Sequence, residues 1–137
     1  MKGLRLKPVR KSDLGLIYEL MNEEAVRGNS FNGKKFSEGE HLRYWNAKMQ
    51  DKDFKAYAIW LNDNFVGLVR LESMEVSVAV KQEYCGKGVA FSALNKLSLG
   101  GFRARVKPGN AASLALFKKL GFEEKQGSKP VKYINSG

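Results

Sequence analysis

Apolar positions along the 137-residue chain change at Phe54 from a helical period, kept between about Leu14 and Met49, to a period of two that lasts through three strands. Ahead of the first helix, Leu4 to Lys7 alternates and is closed by Pro8, which predicts a short strand. Leu14, Ile17, Tyr18 and Met21 then fall at i, i+3, i+4 and i+7, the stripe of a helix laid on a core, with Ser12 or Asp13 as its cap. Gly28 to Lys35, rich in Gly and Asn around Phe31, reads as a loop. Ser37 and Glu40 have the spacing of a capping box, so a second helix carries Leu42, Trp45 and Met49. Beyond it, Phe54 to Leu61 and Phe65 to Leu71 are β-rich runs joined through Asn62-Asp63-Asn64 as a hairpin, and Glu72 to Met74 lead to a third antiparallel strand, Val76 to Val80.

A helix marked by Ala90, Leu94 and Leu97 follows and is ended by Gly100-Gly101. Phe102 to Val106 must run parallel to Val76 to Val80, because a helix intervenes. Pro108 bars helix and Asn110 is a good N-cap, Leu114 and Phe117 follow at helical spacing, and Gly121-Phe122 is a C′ glycine with its hydrophobic successor. Phe122 to Lys125 and Lys132 to Asn135 close the sheet as a hairpin. The order β-α-α-β-β-β-α-β-α-β-β describes an α/β chain with a mixed sheet, and the length predicts one domain over residues 1–137.

The chemistry concentrates between Val76 and Ala90. A strand, VSVAV, empties into the glycine-spaced turn Cys85-Gly86-Lys87-Gly88-Val89-Ala90 and then into a helix, which aims several backbone N–H groups at one point and suits an anion, phosphate first. Two familiar phosphate loops do not fit: the residue three after Gly88 is Phe91 where a dinucleotide fingerprint needs glycine, and Gly86-Lys87-Gly88 lacks the Gly-Lys-Ser/Thr ending of a Walker loop. Taken alone, the turn is as compatible with a structural corner as with an anion site.

The turn and the downstream Pro108-Gly109-Asn110-Ala111-Ala112-Ser113, taken in order, resemble the GCN5-related N-acetyltransferase (GNAT) superfamily, whose acyl-coenzyme A loop follows Gln/Arg-x-x-Gly-x-Gly/Ala and whose next helix commonly begins at a similar Pro-x-Asn-x-x-Ser. The resemblance covers nearly the whole chain. It implies a mostly antiparallel mixed sheet with splayed central parallel strands, and an enzyme that moves the acetyl group of acetyl-coenzyme A to the primary amine of a small acceptor. It makes the main chain of Cys85, Gly86, Lys87, Gly88, Val89 and Ala90 a diphosphate cradle, has Val78, Ala79 and Val80 present backbone groups to the pantetheine arm, and matches Asn110 and Ser113 to cofactor contacts. Cap and first-turn roles suit Asn110 and Ser113 equally well.

Three departures accompany the likeness. Cys85 stands where the family has Gln or Arg, and Phe117 stands where it has the tyrosine that protonates the departing thiolate, so Phe117 reads first as a core aromatic. The helix after the turn looks short. Glu75, at the start of the third strand, is the best candidate for the base that accepts the amine proton, against the plainer role of a solvated charge, and Glu72 is the runner-up. The segments around Arg27, Asn29 and Phe31 and around His41 and Trp45 resemble the branch that acetylates nucleotide-linked amino sugars, which makes those five the acceptor residues. Each also has a structural alternative: Trp45 as core, His41 as an exposed helix residue, Arg27 as a solvated charge.

Composition narrows the rest. A formal charge of +10 suits an anionic partner, whether nucleic acid, membrane surface or a small polyphosphate, and equally a generally basic soluble protein. Basic residues are spread through every segment without a dense arm, which disfavours nucleic acid. No apolar run reaches membrane-spanning length and Met1 to Lys11 has no signal-peptide core, so the expected address is the cytoplasm. One cysteine and one histidine give neither a disulfide nor a zinc site. Monomer and homodimer are both compatible. Two other functions remain beside the enzyme: a coenzyme A-binding module that has lost catalysis with Phe117, and a basic nucleic-acid-binding domain.

Overall fold

The computed structural model describes residues 1–28, 35–107, 109–125 and 131–134. Its elements are β1 (Leu4–Pro8), α1 (Leu14–Met21), α2 (Glu24–Gly28), α3 (Glu38–Lys48), β2 (Phe54–Leu61), β3 (Asn64–Glu72), β4 (Glu75–Val80), α4 (Val89–Leu94), β5 (Arg103–Val106), α5 (Ala111–Lys119), β6 (Glu123–Lys125) and β7 (Val131–Ile134), with 3-10 turns at Lys11–Asp13 and Gln82–Tyr84. The strands form one mixed sheet in the order β1-β2-β3-β4-β5-β7-β6, antiparallel except where β4 meets β5.

Alternation along the strands divides the core between the two faces of this sheet. Phe54, Ala58, Phe65 and Leu68 bury against Leu14, Ile17, Leu20 and Trp45 of α1 and α3. Ile59, Val66, Val69 and Val76 bury with Val89, Ala93, Leu94 and Phe117 of α4 and α5. A register shift between Ile59 and Trp60 bulges the β2–β3 ladder beside Gly67, where a Cβ would lie 2.5 Å from the Ala79 carbonyl oxygen. Glycine at that position lets β4 approach closely.

The capping box of α3 forms as its spacing predicts: Ser37 Oγ accepts from the Glu40 amide at 3.2 Å, and Glu40 Oε1 accepts from the Ser37 amide at 3.2 Å. Its buried face differs from the expected one. Leu42 and Met49 are exposed, while His41 and Trp45 are buried. His41 can be hidden there because its Nε2 sits 2.9 Å from the Leu14 carbonyl oxygen, which satisfies a polar atom that burial would otherwise penalise.

The start of α1 also departs from expectation. Asp13 makes no cap bond to α1; its carboxylate turns back to the Arg10 amide at 2.9 Å and to the Arg10 guanidinium, closing a 3-10 turn. The short α2 has no counterpart in the sequence reading. Helix α4 ends at Leu94, so Leu97 lies beyond it, where the amides of Lys96 and Leu97 tighten onto Ala93 and Leu94. Asn62-Asp63 alone make the β2–β3 turn, since Asn64 already pairs with Leu61. The expected loop between the first two long helices falls mostly on residues 29–34, outside the described residues.

Candidate functional site

The parallel pairing of β4 with β5 is confined to Glu75 opposite Arg103. Beyond that pair the strands diverge. Val78, Ala79 and Val80 are bonded to Val69, Leu68 and Gly67 on one edge only, and their other edge faces a cleft of about 610 Å³. An open strand edge offers alternating N–H and C=O groups to any extended chain laid along it. The cleft runs from Gly86 and Gly88 past β4 to Glu72, Glu75 and Tyr44.

At one end, the chain leaves β4 through the 3-10 turn into Cys85 to Gly88. Glu23 at the head of α2 braces this approach, its Oε1 accepting from the Gln82 amide at 2.9 Å. Gly86 and Gly88 have φ of +77° and +82°, which side chains with a Cβ rarely adopt. The Cys85 amide is taken by the Gln82 carbonyl and the Ser92 amide by that of Gly88. Among the described residues, the amides from Gly86 to Ala90 have no carbonyl partner. Those unmet donors and the absent Cβ atoms fit a diphosphate.

Cys85 lines the cleft, with its thiol turned to backbone carbonyls. Its Sγ lies 3.6 Å and 3.5 Å from the carbonyl oxygens of Val80 and Lys81, and burial, helped by Glu23, pushes its pKa above that of an ordinary thiol. Such a thiol is a poor nucleophile near neutrality. The Lys87 side chain lies over the Tyr84 ring, leaving its amide as the part turned to use in the loop.

Across the cleft, α5 begins at Asn110, whose Oδ1 accepts from the Ser113 amide at 3.2 Å. The capping role is therefore real, and the Asn110 side-chain NH₂ is left for a ligand. Both residues line the cleft. Phe117 reaches it too, but is 4% exposed and packs on Phe122 with ring centroids 5.1 Å apart. It is a core aromatic at the cleft's edge.

At the other end, Glu75 lines the cleft and accepts a hydrogen bond from Arg105 Nε of β5. Glu72, directly opposite on β3, accepts one from Lys48 Nζ of α3, and this bond raises the Lys48 pKa. Both candidate bases thus have a cationic partner. Arg70, two residues before Glu72, donates from Nη1 to Tyr44 Oη at 3.1 Å. Arg70, Tyr44 and Arg105 were not singled out by the sequence reading. The signal for Arg70 was available: a charge inside the apolar run Phe65 to Leu71.

The expected acceptor residues do not come together here. His41 and Trp45 are buried in the helix-sheet core, 4% and 2% exposed, and neither lines the cleft, which corrects their assignment as acceptor contacts. Arg27 is tied back through Nε to the Asn22 carbonyl at 3.2 Å and is not among the cleft walls. Asn29 and Phe31 lie outside the described residues. Among the described residues no group of three or more His, Cys, Asp or Glu side chains could hold a metal ion, and no helix is long and apolar enough to cross a membrane.

Splayed parallel strands beside a glycine turn of unmet amides are the arrangement expected of an acyl-coenzyme A cleft. The family model of the acetyltransferase (GNAT) domain matches residues 3–123. The chain belongs to the GNAT acetyltransferase family, the acetyl-coenzyme A-dependent N-acetyltransferases. Spermidine N-acetyltransferase from Vibrio cholerae, solved in complex with CoA and spermine, superposes with a TM-score of 0.82 at 19% identity, over 99% of this chain and 98% of that one. A domain from Methanocaldococcus jannaschii DSM 2661 gives 0.80 at 19% identity, over 96% and 95%. The dodecameric Vibrio cholerae enzyme in an intermediate state gives 0.77 at 22% identity, over 98% and 93%. Comparison with curated protein sequences finds no match.

Proposed function

We propose that this cleft transfers the acetyl group of acetyl-coenzyme A to the primary amine of a small acceptor, with the cytoplasm as the expected setting. The observation that carries the reading is the single residue pair joining β4 to β5, which leaves the edge of Val78 to Val80 open beside the unmet amides of Gly86 to Ala90. Acetyl-coenzyme A supplies an activated thioester carbonyl. The amides of the turn hold the diphosphate, the edge of β4 lines up the pantetheine arm, and Asn110 donates from across the cleft.

Glu75 is then the proton acceptor. As the amine nitrogen bonds to the carbonyl carbon and the carbon–sulfur bond breaks, the ammonium proton passes to the carboxylate and the thiolate departs. With an ordinary thiol pKa of about 8.5, that thiolate needs no obligatory acid, so Phe117 in place of tyrosine leaves the reaction feasible. Phe117 also supports a second reading, a coenzyme A-binding module without turnover.

The finer reading of the acceptor, an amine on a nucleotide-linked sugar, draws no support from His41, Trp45 or Arg27. It agrees with the positive balance of the chain. Thiol release from acetyl-coenzyme A over a panel of amines tests the function. Amine-dependent release is expected, whereas binding of acetyl-coenzyme A with no release for any amine would favour the module.

A further inference from the structure

The charges at the acceptor end of the cleft do not balance. On β3, Leu68 packs under α1 and α3 while Val69 packs under α4 and α5, so alternation sends Arg70 and Glu72 to the α1–α3 face. Their partners on β4 are Ser77 and Glu75, and all four line the cleft. Glu72 is neutralised by Lys48 and Glu75 by Arg105. Among the described residues Arg70 has only the phenol oxygen of Tyr44, and no carboxylate lies within ion-pair distance of it.

We propose that the acceptor carries an anionic group, a carboxylate or a phosphate, on the same molecule as its amine, and that the Arg70 guanidinium binds that group. The inference rests on the acetyl-transfer reading of the cleft and specifies its substrate class. A half-buried guanidinium whose one partner among the described residues is a neutral phenol leaves most of its five N–H donors for a ligand, and their planar fork matches the two oxygens of a carboxylate or phosphate. Tyr44 Oη, which accepts from Arg70, still has a proton to donate to the same anion.

Spacing fits a small acceptor. Arg70 stands two residues from Glu72, the cross-strand partner of Glu75, which is about 7 Å along the strand. An anion held by Arg70 therefore leaves the amine of the same small molecule within reach of Glu75. A polycation meets the opposite situation: both carboxylates are already paired, and Arg70 repels the additional charge. The cleft is thus unlike one made for the spermidine named for its structural neighbours.

Matched acceptor pairs test this: O-phosphoethanolamine against ethanolamine, β-alanine against β-alaninamide, and spermidine as the polycation. For the native protein, kcat/KM is expected to favour the anionic member of at least one pair by about tenfold or more, the scale of one charge-assisted bond. Which pair shows it tells phosphate from carboxylate. Arg70→Gln should abolish the preference and Arg70→Lys should keep part of it. The rise in melting temperature with acetyl-coenzyme A, measured on every variant, should persist; its absence in the native protein would count against the cleft reading itself. Preference for spermidine or for the neutral amines, no turnover of any of the five, or a preference that survives Arg70→Gln overturns the proposal.

Discussion

Glu72 and Glu75 stand directly opposite each other where β3 turns into β4, two like charges on adjacent strands at the mouth of the cleft. Such a pair is destabilising unless something offsets it. Here Lys48 reaches Glu72 from α3 and Arg105 reaches Glu75 from β5, so each carboxylate is held by a different element. The arrangement gives Glu75 a fixed position beside the point where β4 and β5 part.

If Glu75 accepts the amine proton, Glu75→Gln keeps the shape and removes the base. Turnover should fall by about ten- to a thousandfold, the usual scale of general-base effects, with little change in acetyl-coenzyme A affinity. The check is kcat against pH for native and variant protein, with Glu72→Gln alongside. A Glu75→Gln variant that keeps native turnover across the pH range would transfer the role to Glu72 or to water.

The turn that brings the two glutamates together is strained. Ser73 and Met74 have φ of +52° and +62°, the pair of left-handed conformations that a two-residue hairpin turn needs and that Asn-Gly supplies most readily. Met74 is also exposed, so little packing is lost on replacing it. Ser73→Asn with Met74→Gly should stabilise the fold by about 1 kcal/mol or more, a rise of roughly 2–5 °C in melting temperature. An unchanged or lower midpoint in a thermal melt would show that the turn is not a strain reservoir.

Much of this architecture is legible in the residues themselves. Ser37 with Glu40 and Asn110 with Ser113 mark helix starts through bonds that are local in sequence, and Gly86-Lys87-Gly88 marks its turn through backbone conformation. What misleads is decided over long range. The inward rotation of α3 depends on a carbonyl at Leu14, 27 residues from His41, and no pattern within α3 announces that acceptor. For the same reason Leu42 looked buried and His41 looked available. Arg70 is visible in the sequence as a charge inside the apolar run Phe65 to Leu71, but that it lacks an acidic partner among the described residues while Glu72 and Glu75 are paired is decided by the fold.

The buried histidine carries its own prediction. Burial holds the His41 pKa below its ordinary value, an effect that the Leu14 carbonyl and Glu38 only partly offset. Below about pH 6.5 the unfolded chain binds a proton that the native imidazole resists, so stability is full above that pH and falls as pH drops toward the native pKa. The urea midpoint should therefore decrease between pH 7.5 and pH 5.5, and His41→Gln, which cannot titrate, should show a smaller decrease. An equal decrease in both proteins would place the acid sensitivity elsewhere.

The central claim is that the turn from Gly86 to Ala90 holds the diphosphate of acetyl-coenzyme A. Gly88→Glu tests it most directly, because it puts a bulky side chain and a negative charge on the turn whose amides would hold the phosphates. Its φ of +82° adds strain, so the variant's fold is first confirmed by circular dichroism and its urea midpoint. Calorimetric titration with acetyl-coenzyme A should then give saturable binding for the native protein and at least about a hundredfold weaker binding for the folded variant, the cost of about 3 kcal/mol. No binding to the native protein, or equal affinity in the two, would contradict the account.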